Sequence, residues 1–291
     1  CRTINLAVGY AESGDTIKIA KGDHSLGYTI EVGLTKNLTF EGGYDTADNF
    51  ATKSVGVRGN FMTRLIAPAS YLFNFTAAGN TSTVRNFVLD GNSSSYTIYS
   101  GYAVSPTIEG NIITRVGSYG IYLGAAAGLS NVRNNIVLEA GSYGIYLGAG
   151  STATNNTVVN TGSYGLSGGT RTNNIAYAGG TGFWDCTTEP ATYNLSYRNT
   201  TNFGASCDGT GSVTAPPRFL NLSAPGTFIK NANGVSTGLT ATTLTMTGAG
   251  WTADQWKGYF LTPDITRSQP QYFLIISNTA TTLTVVSANS L

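Results

Sequence analysis

Residues Gly117–Gly124 read GSYGIYLG, and the same eight residues return at Gly141–Gly148 after an interval of 24. A third copy, GSYGLSGG, occupies Gly162–Gly169, and a fourth, GGTGFWDC, occupies Gly179–Cys186, at further intervals of 21 and 17. Between the copies runs a second motif: GNII at Gly110, NNIV at Asn134, NNTV at Asn155, NNIA at Asn173 and YNLS at Tyr193. Its second residue is always asparagine, at Asn111, Asn135, Asn156, Asn174 and Asn194, spaced by 24, 21, 18 and 20. Apolar stretches this short, each bounded by Gly or Asn, do not make helices, and they recur too regularly for a sandwich. The pattern predicts a coil that returns above itself, with strands of successive turns paired in parallel at about 4.8 Å. Variation in repeat length then belongs to the loops.

Period-2 alternation within the first motif sets Ile121, Leu123, Ile145, Leu147, Leu166 and Phe183 on the interior face. Tyr122, Tyr146, Ser167 and Trp184 then point outward. The recurring Asn residues fall where the chain turns. Asn tolerates left-handed backbone, and its amide is able to bond the amide of the next rung, so the five are expected to form a structural ladder rather than a ligand site.

The NNI and NNT copies and the repeated G-S-Y-G-I-Y-L between Asn111 and Leu195 resemble the pectate-lyase-like superfamily of right-handed parallel β-helix proteins. The opening, CRTINLAVGYAESGDTIKIAKGDHS, is similar to the entry segment of that superfamily. Ile4, Ala7, Val8 and Ala11 have helical spacing, and Gly14-Asp15 ends the helix before Thr16–Ala20 goes extended. A helix here covers the open end of the coil and blocks edge pairing. The resemblance runs from Cys1 to about Leu222 and implies fold, not activity. Beyond it the texture changes. TATTLT occurs at Thr240–Thr245 and Thr279–Thr284, with Trp251 and Trp256 between them. This reads as a small antiparallel β-module, entered through Ala215-Pro216-Pro217 and Ala224-Pro225-Gly226. The expected fold class is all-β: a right-handed parallel β-helix over 1–225 with a short N-terminal capping helix, then a small antiparallel β-domain over 226–291.

Composition narrows function by exclusion. Only 11% of the 291 residues are charged and the net charge is +1, with no basic block to meet a row of phosphates, so nucleic acid is not an expected partner. Polyacidic calcium runs are absent, and no stretch approaches the ~20 apolar residues of a membrane span. The chain starts at Cys1, without Met or a charged-then-apolar leader, and reads as a processed or excised piece. Cys186 and Cys207 are 21 residues apart, close to one coil, which sets them on neighbouring rungs as either a disulfide or two buried thiols. Cys1 is left over.

Polysaccharide-cleaving relatives imply an acidic cluster with an Arg or Lys base, or several Asp on adjacent rungs. From Gly110 to Leu195 the only acids are Glu139, Asp185 and Glu189, and the only bases are Arg115, Arg133 and Arg171. No carboxylate pair is visible there. Glu31, Glu41, Asp45, Asp48 and Asp90 lie in earlier, irregular rungs and either converge on a site or are scattered surface charge. The single histidine, His24, reads as a turn residue, and no metal or cofactor is expected. Tyr122, Tyr146 and Trp184, with Trp251 and Trp256 in the module, are the candidate ligand or partner contacts; a self-stacking ladder is the other reading of the outward strip. The function this favours is an extracellular or cell-surface structural or adhesive rod. It would act by self-association into a filament or by attachment to a surface or glycan. A polysaccharide lyase or glycoside hydrolase is the alternative, and a non-catalytic carbohydrate-binding protein the third reading.

Overall fold

The computed structural model describes residues 3–33, 36–53, 63–124, 128–187, 189–215, 236–256, 260–261 and 273–286. A parallel β-solenoid fills the first part. Its three eight-stranded sheets, here A, B and C, each take every third strand of the chain, so one coil contributes one strand to each sheet. In the most regular coil these are Thr107–Glu109, Ile112–Val116 and Tyr119–Leu123. The register is in phase from rung to rung: Ile108 pairs with Val132, Ile113 with Val137 and Ile121 with Ile145.

Alternation accounts for the six interior residues that it assigned in sheet C. Ile121, Leu123, Ile145, Leu147, Leu166 and Phe183 are all buried, in one continuous apolar cluster with Ile108, Val132, Ile113 and Val137 from the other sheets. The helix Ile4–Tyr10 stands at the start, with the Thr3 hydroxyl accepting from Leu6 N–H at 3.1 Å as its N-cap. It buries Val8, and Ile4, Ala7 and Ala11 pack against the same cluster.

Two glycine columns explain the G-S-Y-G repeat. A Cβ on Gly117, Gly141 or Gly162 would strike a carbonyl oxygen of the preceding rung. One on Gly120, Gly144 or Gly165 would strike the following rung and the interior side chains Val137, Val158 and Ala176 of sheet B. Rungs approach too closely at these points for any side chain.

The first compact unit closes at Ala215, and the boundary expected at 225/226 lies outside the described residues. The second unit holds a five-stranded antiparallel sheet. There the two TATTLT segments pair with each other: Thr243 faces Thr284, Leu244 faces Leu283 and Thr245 faces Thr282. Its apolar centre is Leu261, Phe273, Ile275, Leu283 and Val285.

Candidate functional site

Three sets of side chains climb the solenoid in register. At the corner between sheets A and B stand Asn111, Asn135, Asn156, Asn174 and Asn194, all buried. The Oδ1 of each of the last four accepts both the backbone N–H and the Nδ2 of the Asn one rung earlier, at 2.9–3.1 Å. Each Nδ2 also donates to a carbonyl of sheet A; for Asn156 this is Val132 at 2.9 Å. The left-handed backbone expected at these Asn falls instead on the residue ahead: Gly110, Asn134, Asn155, Asn173 and Tyr193. That turn swings the asparagine inward, where its amide replaces the strand hydrogen bonds lost at the corner.

The second set is ionic and joins neighbouring rungs. On sheet A, Glu41, Arg85, Glu109 and Arg133 form an alternating column. Burial pushes the Glu41 carboxyl up, but Lys53 at 2.5 Å, the Tyr44 hydroxyl at 2.7 Å and the charge of Arg85 outweigh it and bring its pKa to about 2. Burial, and then the bond to Glu41, push the Tyr44 phenol up to about 12. On sheet B, Asp90 is fully buried between Arg64 and Arg115, and Arg64 also reaches Asp23 at 3.0 Å. Asp45 pairs with Lys21 at 2.5 Å, while Asp48 accepts from the backbone of Ala51 and Thr52 in its own turn. Glu31 takes Asn74 at 3.0 Å. The early acids are therefore spread over three sheets and a turn, each with a partner, and do not share one cleft.

The third set is aromatic and lies on the outer face of sheet C. Tyr99, Tyr122 and Tyr146 form one column, with ring centroids 5.4 and 5.0 Å apart and planes within 16°. Beside it runs a longer column, Tyr71, Tyr96, Tyr119, Tyr143 and Tyr164, at 5.5, 5.1, 4.8 and 4.7 Å; Trp184, which by register continues the line of Tyr146 and Ser167, meets the Tyr164 ring at 5.2 Å. Alternation missed this second column because it assigns Tyr119 to the face of Ile121. Gly120 stands out of the paired register, and the break turns both Tyr119 and Tyr122 outward. The spacing Y-x-x-Y at Tyr96–Tyr99, Tyr119–Tyr122 and Tyr143–Tyr146 was the available signal. Ser167, expected in the outward column, is in register between Tyr146 and Trp184 but is buried. Burial, reinforced by neighbouring tyrosines, raises the pKa of Tyr96, Tyr122 and Tyr143.

Near the last coil, Cys186 and Cys207 form a disulfide with Cα atoms 5.1 Å apart. Next to it lies Arg171, wholly buried in the interior column between Ala153 and Ala191. Its Nη1 donates to Trp184 O at 2.5 Å and its Nη2 to Asp185 O at 2.9 Å. Burial lowers its pKa to about 10. Trp251 and Trp256 are half-buried and pack against the apolar centre of the C-terminal sheet rather than standing free. Cys1 lies outside the described residues.

Register, interior and ladders define a parallel β-helix repeat protein. The chain belongs to the NosD family, described as periplasmic copper-binding protein, whose profile matches residues 8–202. No curated protein and no solved structure matches it.

The family description raises copper, which prefers thiolate, thioether and imidazole donors. The chain has one His, two Met and three Cys. His24 Nε2 is 2.9 Å from Ala20 O, and Cys186 and Cys207 are joined to each other. Met246 lies outside the matched segment, and among the described residues no three His, Cys, Asp or Glu gather. Cys1 and Met62 lie outside the described residues, and the donors among the described residues do not fit a copper centre. No helix among the described residues is long and apolar enough to cross a membrane.

Proposed function

We propose that this chain is an exported, non-catalytic β-helix that attaches to a surface, with the outer face of sheet C as its contact side. The observation that carries the reading is the double aromatic column from Tyr71 to Trp184, nine half-exposed or exposed rings on a face otherwise poor in charge. Contiguous exposed apolar surface of this kind marks interaction sites. The family description and the Cys186–Cys207 disulfide support export. The pairing of Glu41, Asp45, Asp48 and Asp90 supports the absence of a catalytic carboxylate.

Size favours a surface over a second copy. Six rungs span ~24 Å, and two ring columns are ~12 Å wide, which gives roughly 300 Å² against the ~800 Å² each partner buries in a standard interface. Co-sedimentation of the intact chain with insoluble glycan particles, run beside analytical ultracentrifugation and a reducing-end assay, is the test. Expected are capture on particles, a monomer in solution and no released ends. Release of ends that tracks Asp90 or Glu41 variants, or concentration-dependent polymers without capture, would replace this reading.

A further inference from the structure

We infer that Trp184, with the Asp185 carboxylate beside it, is a stacking subsite for one pyranose ring of a glycan that carries no acid groups. This rests on the contact reading above and adds the residue and the ligand class. Inside the columns the ring faces are already used. Tyr119 and Tyr143 lie 4.8 Å apart with planes 7° from parallel, and Tyr122 and Tyr146 lie 5.0 Å apart at 11°. A sugar meeting those rings finds edges and hydroxyls.

Trp184 ends the strip and differs. It is tilted 33° from Tyr164, and the next rung offers Gly204 instead of another ring. A Cβ on Gly204 would come within 2.6 Å of the indole, so the missing side chain is what gives the ring its place. At 42% exposure Trp184 is the most open ring of the strip. An indole combines a flat apolar face with a polar edge, which suits the apolar face of a pyranose.

The position is also held from inside. Arg171 spends two guanidinium bonds on the carbonyls of Trp184 and Asp185, Asp185 has a left-handed backbone at φ 57°, and Cys186 is tied to Cys207. Among the described residues no carboxylate is in ion-pair contact with this buried guanidinium, which is costly, as is left-handed backbone at a non-glycine residue, although the charges of Asp185 and Glu189 favour its charged form. Both converge on one surface residue.

Charge selects the ligand. Asp185 is exposed, and its charge adds to burial and the neighbouring phenols in raising the Tyr143 pKa, which sets it against the strip. Glu189 bonds Gly150 N–H and the Thr170 hydroxyl on the adjoining rungs, and Arg171 faces inward. This end of the strip therefore repels uronates, while Asp185 is free to accept sugar hydroxyls or an amide N–H.

The test is calorimetric titration of the intact chain with a tetramer of β-1,4-linked N-acetylglucosamine and, separately, with a galacturonate tetramer, paired with co-sedimentation on chitin particles. Expected are saturable binding of the neutral tetramer and at least about tenfold weaker binding of the acidic one. Trp184→Ala should abolish binding with an unchanged melting curve. Gly204→Ala, which displaces the ring, should weaken it several-fold, and Asp185→Asn should narrow the gap between the two tetramers. Wild-type affinity in Trp184→Ala, or preference for the acidic tetramer, overturns the subsite. Should particles still capture Trp184→Ala as well as wild type, the subsite falls while the contact reading stands; should neither particles nor tetramers bind wild type, both fall.

Discussion

The asparagine column and the aromatic columns rise on the same rungs with the same repeat, yet they do opposite things with it. Each interior asparagine has a partner above, a partner below and a sheet A carbonyl beside it, so nothing remains to offer outside the column. The tyrosines stack face to face along each column and edge to face across the two, yet all remain half-exposed, and among the described residues the last ring has no ring beyond it. Repetition in the interior makes cohesion, and the same repetition on the outer face makes a display whose informative part is where it stops.

The comparison breaks most easily at its buried side. Asn156→Leu leaves the N–H and Nδ2 of Asn135 and the carbonyl of Val132 without their partner, and should cost about 2–4 kcal/mol in urea unfolding. A loss under ~0.5 kcal/mol would mean that the column follows the fold rather than holding it.

The ionic column of sheet A is the intermediate case. The Glu41 carboxyl is held below its ordinary 4.5, at about 2. A depressed carboxylate contributes stability that is fully present above its unfolded pKa and is lost as pH falls through the folded one. Acid unfolding should therefore show a loss between pH 4.5 and about 2 that Glu41→Gln removes. At neutral pH the same variant should lose about 2 kcal/mol, kept modest because Arg85 and Lys53 are partly exposed. An acid profile identical to wild type would remove Glu41 from the account.

Tyr146→Ser should cost about 1 kcal/mol, the stacking with Tyr122 less what solvent restores at a half-buried site. Trp184→Ala should move the melting midpoint least of all, within the ±0.5 kcal/mol of an ordinary surface change. A large loss there would make the indole part of the scaffold and erase the contrast between column and end.

Much of this was legible because a rung repeats its chemistry at a fixed offset. The interior set from Ile121 to Phe183 and the positions of the five Asn follow from spacing alone. The left-handed turn did not, since its residue type changes from Gly110 to Asn134 to Tyr193 and carries no constant letter. The Tyr71–Tyr164 column was hidden by strict alternation, which fails wherever a glycine lets the strand roll. Arg171 was readable in principle: T-R-T at Thr170–Thr172 puts the middle residue inward, and only its charge argued for solvent. The pairs of Glu41 and Asp90 join residues 12 to 45 apart across irregular early rungs, where no repeat exists to count from.

Partners along the asparagine column lie 24, 21, 18 and 20 residues apart yet meet at nearly equal hydrogen-bond lengths. Closing a loop of 24 rather than 18 residues costs only ~0.3 kcal/mol more. Each new turn thus settles onto its predecessor at almost constant entropic expense, and ordering travels along the axis instead of searching across it. A chain delivered from its N-terminus presents the Ile4–Tyr10 helix before the strands of the coil, so the template exists before the strand that needs it.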